Sequence, residues 1–353
     1  DNDTILNNGI LDIDAVSTLQ TGASTVVSIF GHAGTSAIVS ASPQATGIDG
    51  GAGDDLIENL DTLDADVTAT AVLTSGSAFT FAGAASDQAE VTASPTVTGI
   101  AGGAGLDTIR NEGSVTVSST ATLNVNSNSN VAFGVASAGA KTNATATTVG
   151  VDGGDGNDTV DNLGTIGATA TASTMSSQSS YAFGGDPSTT AVVNAGSDAT
   201  GIATGAGDDW VRIDTAGLID VDANATLTST GGAKATFDFG TVESSATVGT
   251  TVVALGVATG GGNDTLINLG MLDVDLDSTT TSKNNSNAGI IFGDSSATAT
   301  ATSAGDGEGV NAGDGDNTIY NEGKISIVLD DRTGSATSFA QSVTNGGDVT
   351  LDG

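Results

Sequence analysis

The chain has 353 residues, with 42 acidic against 7 basic side chains and a formal charge of −35. This balance excludes nucleic acid as a partner, since phosphate binding needs clustered Lys and Arg, and it favours divalent counter-ions. There is no cysteine for disulfides or thiolate metal sites, and no run of 18 apolar residues that could insert into a membrane.

Aromatic residues make up only 3% of the chain, so large anchors for a compact globule are scarce. The apolar residues alternate with Thr or Ser instead, as in "DVTATAVL" (66–73) and "SATATATS" (296–303). Period-two alternation of small and β-branched residues is a strand pattern. No stretch holds a 3.6-residue period, so the chain is expected to be all-β with almost no helix.

In chain order, the opening "DNDTILNNG" (1–9) is the second half of a motif whose full copies follow. They read "GIDGGAGDDLIEN" from Gly47, "GIAGGAGLDTIRN" from Gly99, "GVDGGDGNDTVDN" from Gly150, "GIATGAGDDWVRI" from Gly201, "GVATGGGNDTLIN" from Gly256 and "GVNAGDGDNTIYN" from Gly309. The spacings are 52, 51, 51, 55 and 53. A fixed period of this length predicts one solenoid domain over residues 1–353, with a partial first repeat over 1–46. A second landmark keeps the same beat: Phe30, Phe81, Phe133, Phe183, Phe239, Phe292 and Phe339. Its regularity predicts an interior aromatic stack; an exposed carbohydrate platform, with a surface glycan as ligand, is the alternative.

Each repeat divides at its Phe. Asn59 to Phe81 is 22 residues, and the halves "DADVTATAVLTSG" (64–76) and "DQAEVTASPTVTG" (87–99) resemble each other. The expectation is an elongated parallel β-solenoid with two coils per repeat, about 14 coils and ~65–70 Å along its axis. One wide coil per repeat is the alternative. "NxG" turns at Asn7, Asn111, Asn162, Asn268 and Asn321 place Asn where stacked copies would bond to one another. The fourth full copy is longer at "VRIDTAG" (211–217), which predicts a bulge.

The stretches "GGAGDDLIE" (50–58), "GGAGLDTIR" (102–110) and "GGDGNDTVD" (153–161) match the nonapeptide GGxGxDxUx, where U is a large apolar residue. The chain therefore resembles the RTX, or haemolysin-type, calcium-binding repeats set within a bacterial β-helical surface or filament protein. In that family, glycines free the backbone while carbonyls and Asp carboxylates ligate Ca²⁺. The resemblance points to Asp55, Asp107, Asp158, Asp209 and Asp264 as ligands, with Asp316 and Asn317 sharing the position in the last copy, helped by Asp54, Asp152, Asp155, Asp208 and Asp314. RTX nonapeptides run in tandem, whereas here they come once per repeat. With two coils between loops, ~9.6 Å would separate them, too far for one ion to bridge. A Gly-rich turn with solvated carboxylates is the competing reading.

Other residues have plainer readings. His32 has no repeat partner and reads as an exposed turn residue, and Trp210 stands where Thr recurs and reads as local packing. The acids recur with the repeat instead of converging, which argues against an enzyme. The pairs Thr68/Thr70, Thr169/Thr171, Thr226/Thr228 and Thr298/Thr300 suggest a flat rank of hydroxyls that would bind ice or another ordered surface. The opening Asp1 leads to the expectation of a processed or excised piece, and "VTLDG" (349–353) joined to "DNDTILNNG" approximates the missing motif. The expectation is a secreted or cell-surface structural protein: a Ca²⁺-stabilised fibre, sheath or matrix subunit that polymerises head to tail. The alternatives are an adhesin stalk and a surface-binding solenoid.

Overall fold

The structure is a computed structural model and is described for residues 1–22, 26–237, 240–289, 294–332, 336–343 and 349–352. Among these, every regular element is a β-strand and every strand pairing is parallel. The molecule is a parallel β-solenoid.

One coil is one whole repeat. Asn7 pairs with Asn59, Asn59 with Asn111 and Asn111 with Asn162, so consecutive layers lie one full period apart. This corrects the expectation of two coils per repeat. The two similar halves are instead two limbs of one flattened coil. In the third coil the strand Ser114–Asp155, 42 residues long, doubles back at Phe133–Gly134, where Gly134 has φ 131°. The limbs then face each other: the Ser119 and Thr148 hydroxyls meet at 2.7 Å, and Ser129 donates to the carbonyl of Ala85 in the coil below at 2.8 Å. Both limbs line the same thin core with the same alternation, which is why they look alike in sequence.

At the other edge of each coil stands a four-residue strand. These are Thr4–Asn7, Leu56–Asn59, Thr108–Asn111, Thr159–Asn162, Trp210–Ile213, Thr265–Asn268 and Thr318–Asn321, which stack as one seven-stranded sheet. Seven layers span only ~30 Å along the axis, while a limb of about 20 residues reaches ~65 Å across it. The long dimension thus lies perpendicular to the axis, opposite to the rod expected.

The coil is apolar near the four-residue strands. Leu63, Val67, Leu73, Val91, Val97 and Ile100 in the second coil are fully buried, and the equivalents in the coils above join one continuous cluster. Toward the bend the inward positions turn polar: Ser127 and Ser129, then Ser176, Gln178 and Ser180, then Ser282, Asn284 and Ser286 are buried. Asp87 is buried among them and accepts from the Ser127 hydroxyl at 3.0 Å and the Asn128 amide at 2.8 Å.

The bend carries the phenylalanines, and they face outward. Phe81 and Phe133 are 49% exposed, Phe183 and Phe237 39%, and Phe30 76%. The interior stack is therefore corrected to a surface ridge. Ring centroids of Phe81–Phe133, Phe133–Phe183 and Phe183–Phe237 lie 5.8, 5.8 and 4.9 Å apart, edge to face. Phe237 holds the slot expected for Phe239; Phe239 and Phe292 lie outside the described residues. Phe339 pairs with Asn285, part-way along a limb, and not at the bend.

The bulge expected at 211–217 is a turn. The Gly217 amide donates to the Asp214 carbonyl at 2.8 Å, and Asp214 also binds Arg212 at 2.6 Å. The register offset rises from 51 at Asn162–Ile213 to 53 at Thr165–Leu218 across that turn, and to 55 at Ser188–Glu243 beyond the bend.

Candidate functional site

The Gly/Asp loops stack directly on one another, ~4.8 Å apart. The stacking itself requires the glycines. Gly103 and Gly154 have φ 107° and 101°, and a Cβ on either would fall 1.9 Å from the carbonyl oxygen of the glycine one coil below. Only glycine permits this approach. Bridges Ala52↔Ala104, Asp155↔Ala206, Ala206↔Gly261 and Gly261↔Asp314 continue the parallel pairing through the loops.

Asp55, Asp107, Asp158, Asp209 and Asp264 form one buried column, each at most 2% exposed. Each carboxylate reaches back one coil to accept a backbone amide. The Asp55 amide donates to Asp107 Oδ1 at 2.8 Å, that of Asp107 to Asp158 at 2.8 Å, that of Asp158 to Asp209 at 2.8 Å and that of Asp209 to Asp264 at 3.0 Å. Asn317 ends the column by accepting from the Asp264 amide at 2.7 Å. The second oxygen, Oδ2, of all five aspartates is buried without a hydrogen-bond partner. In the lower copies it packs against a glycine: a Cβ on Gly50 or Gly102 would meet it at 2.8 Å.

A second, exposed column runs beside the first with opposite polarity. Asn2 Oδ1 accepts from the Asp54 amide at 3.0 Å, Asp54 Oδ1 from Leu106 at 3.0 Å, and Asn157 Oδ1 from Asp208 at 2.8 Å. Asp208 Oδ1 accepts from Asn263 at 2.7 Å, and Asn263 Oδ1 from Asp316 at 2.9 Å. Leu106 interrupts it by supplying no acceptor. Apart from that break, each loop is stitched to both neighbours, upward by one column and downward by the other. Of the remaining expected ligands, Asp155 and Asp314 are exposed and Asp152 is half-buried, outside both columns. The sequence reading missed Asn2, Asn157 and Asn263, through the interchange of Asn and Asp at these positions. Of Asp316 and Asn317, which share the ligand position in the last copy, Asn317 takes the slot of the buried column and Asp316 lies exposed in the second column.

A third column is made by the "NxG" asparagines. Asn7 donates to Asn59 at 2.7 Å, Asn59 to Asn111 at 2.8 Å, Asn111 to Asn162 at 2.8 Å and Asn268 to Asn321 at 2.7 Å, while Ile213 breaks the run.

Within the buried Asp column the carboxyls of Asp107, Asp158 and Asp209 are held above the ordinary carboxylate range. Burial is the main cause that pushes Asp158 up to about 6, opposed by the Asp107 amide and reinforced by the charges of Asp209, Asp107 and Asp152. Asp107 and Asp209 are also raised, again chiefly by burial.

Calcium takes six to eight oxygens at ~2.3–2.6 Å. Here Oδ1 of each buried Asp already holds an amide. The loop carbonyls of Gly51, Gly154, Gly205 and Gly260 likewise accept amides from the next coil, at 2.8–3.2 Å. Among the described residues no three His, Asp or Glu side chains converge to hold a metal ion. As positioned, Oδ1 and these carbonyls are engaged with amides, Oδ2 of each buried Asp is the oxygen left without a partner, and the loops lie closer together than a two-coil repeat implies.

His32 is exposed just past the bend, with Nε2 3.3 Å from the Ser86 hydroxyl. Trp210 pairs between Thr159 and Thr265 in the four-residue sheet. A scan against family models finds no match, and searches of curated proteins and of solved structures find none either.

Proposed function

We propose that the chain is a structural, non-catalytic element: a subunit or stalk segment of an extracellular fibre, sheath or matrix. The observation that carries this reading is the continuous stacking. Backbone pairing runs through seven layers, and the glycine approach, the buried Asp column and, apart from its break at Ile213, the Asn column follow it, so the side-chain chemistry serves to join one coil to the next. Head-to-tail growth belongs to the same proposal, since a further coil of this kind, from this or another molecule, would meet the same donors and acceptors. Immunogold labelling of the producing cells tests it. Label on extracellular fibres or matrix is expected, and label confined to the cell interior would sink it.

A hydroxyl lattice favours a second reading, a surface-binding solenoid. On the outer face of one limb Thr68, Thr120 and Thr171 stack in one column and Thr70, Thr122, Ser173 and Thr226 in the next. The Thr-x-Thr pairs are staggered within it, because Thr169 stacks on Ser118, and Thr298 and Thr300 lie on the opposite limb. Ice-growth measurements decide this reading: no shaping of crystals at millimolar protein would remove it.

A further inference from the structure

We propose that the phenylalanine ridge at the bend is a docking edge for the same ridge of a second copy of this chain. The inference is independent of head-to-tail stacking, which uses the strand edges at the ends of the solenoid and not its flank.

Three observations converge on it. First, the ridge is exposed: Phe81, Phe133, Phe183 and Phe237 follow one another ring to ring at 39–49% exposure, Phe30 stands one coil below at 76%, and Val135 is 45% exposed alongside. Five such rings offer apolar surface on the order of 500 Å², at the upper range for a monomer's largest patch.

Second, the charge of the chain thins out at this edge, although Asp186, paired with Val135, stands just past the bend of the fourth coil and Asp238 follows Phe237 in sequence. Despite 42 acids, residues 15–48, 67–86, 113–151 and 162–185 contain no Asp or Glu. These segments hold the bend of the first four coils, while the acidic loops stand at the opposite edge. Two copies that each carry −35 repel wherever their loops approach. Bend to bend is the approach with least repulsion, and a basic partner would be drawn to the loop edge instead.

Third, the ridge has the period of the solenoid. Its rings recur once per strand layer, ~4.8 Å, a spacing that another copy reproduces ring for ring. The rings are packed edge to face, with interplanar angles of 77°, 86° and 67°. They do not form the flat platform on which a sugar face stacks, so a second ridge interdigitates better than a glycan does.

The area is below the ~800 Å² per partner of a standard stable interface. The expected association is therefore weak, in the micromolar range or above, and it strengthens with every coil added to the ridge.

The chain has no cysteine, so one introduced thiol reports on the contact. In the full chain, Val135→Cys should form a disulfide-linked dimer under mild oxidation, and Ala206→Cys, exposed at the loop edge, should not. Sedimentation of the unmodified chain should show dimer at high micromolar concentration, increasing from 0.05 to 0.5 M NaCl as repulsion is screened. Phe81→Ser, Phe133→Ser and Phe183→Ser combined should raise the dissociation constant about tenfold or more. Association that survives those replacements is stacking through the ends and overturns the ridge. So does a chain that stays monomeric at both salt concentrations, or a Val135→Cys chain that cross-links no better than Ala206→Cys. If the triple variant fails to fold, the cysteine pair still decides.

Discussion

The two ends of each flattened coil are built on opposite plans. Near the acidic loops the interior is aliphatic and the exterior is charged. Near the bend the interior is lined by Ser, Thr, Asn and Gln with small Ala and Val clusters, and the exterior carries Phe and Val with few carboxylates, Asp186 among them. The loop half is the ordinary arrangement, with stability drawn from buried Leu, Ile and Val at roughly 2–3 kcal/mol each. The bend half has much less such burial, in small clusters around Val131 and Val242. Several of its inward groups, including Gln178 Oε1, Ser180 Oγ, Ser229 Oγ and Ser282 Oγ, are buried with no hydrogen-bond partner, and each costs stability instead of adding it. The loop half anchors the fold, and the bend half is held in shape by strands that continue from it.

The contrast is broken most severely at the loops. Gly154→Ala puts a Cβ 1.9 Å from the Gly103 carbonyl at a φ of 101°, and it should cost about 3 kcal/mol or more. Because the loops stack through every coil, the loss should appear as uncoupled unfolding of the segments on either side, seen as a second transition in denaturant. The matching change on a limb, Gly167→Ala, should be nearly silent, since a Cβ at Gly167 meets nothing within 4 Å.

The two interiors provide the next comparison. Leu123→Ala in the loop half empties a fully enclosed site and should cost ~2–5 kcal/mol. Ser180→Ala in the bend half removes a buried hydroxyl that bonds to nothing and should be neutral or stabilising by up to ~1 kcal/mol. Equal costs at the two positions, from the midpoints of urea unfolding, would show that the halves are not different in kind.

A smaller effect concerns charge within the loop half. The folded Asp158 carboxyl sits at about 6 against an ordinary 3.8, mainly through burial. A carboxyl that holds its proton more tightly when folded contributes stability that is complete below the unfolded value and is lost as pH rises through about 6. Acidification from pH 7.5 to 5 should therefore stabilise this chain by ~1–2 kcal/mol, with Asp107 and Asp209 acting in the same direction. Asp158→Asn should raise stability at pH 7.5 and flatten the profile. The last coil already shows how: Asn317 accepts the Asp264 amide as an aspartate would, and its Nδ2 donates to the Ala312 carbonyl at 2.6 Å, where the aspartates leave Oδ2 unpaired.

The solenoid, its period and the Asn column were legible because glycines and asparagines recur at one fixed spacing, and few folds besides stacked coils demand that. The number of coils per repeat was not. Two limbs that line one core carry the same alternation as two coils that line two cores, and only pairing partners such as Asn59 and Asn111 separate the cases. The outward Phe was hidden for a local reason: a positive-φ glycine such as Gly134 resets the in–out alternation at the bend. The four extra residues of the fifth coil divide, two at the 214–217 turn and two past the bend, so the ring at the bend is Phe237 and not the expected Phe239. The loop chemistry was hidden because an Asp that caps the amide of its neighbour and an Asp that ligates a cation ask for the same residue in the same glycine-rich setting.

That ambiguity defines the smallest expected effect. If the aspartates are committed to amides, Ca²⁺ at 5 mM should raise the melting temperature no more than Mg²⁺ or NaCl at matched ionic strength, since all three merely screen the −35 charge. A specific site behaves differently. One ion bound at ten times its dissociation constant adds about 1.4 kcal/mol, and a loop in every coil multiplies that gain. A selective Ca²⁺ shift of several degrees would therefore mean that the loops open, release the amides of Asp55, Asp107 and Asp158, and trade a hydrogen-bonded column for a metal-bound one. Asp158→Asn separates the two cases: it weakens a calcium column and strengthens an amide-capping one.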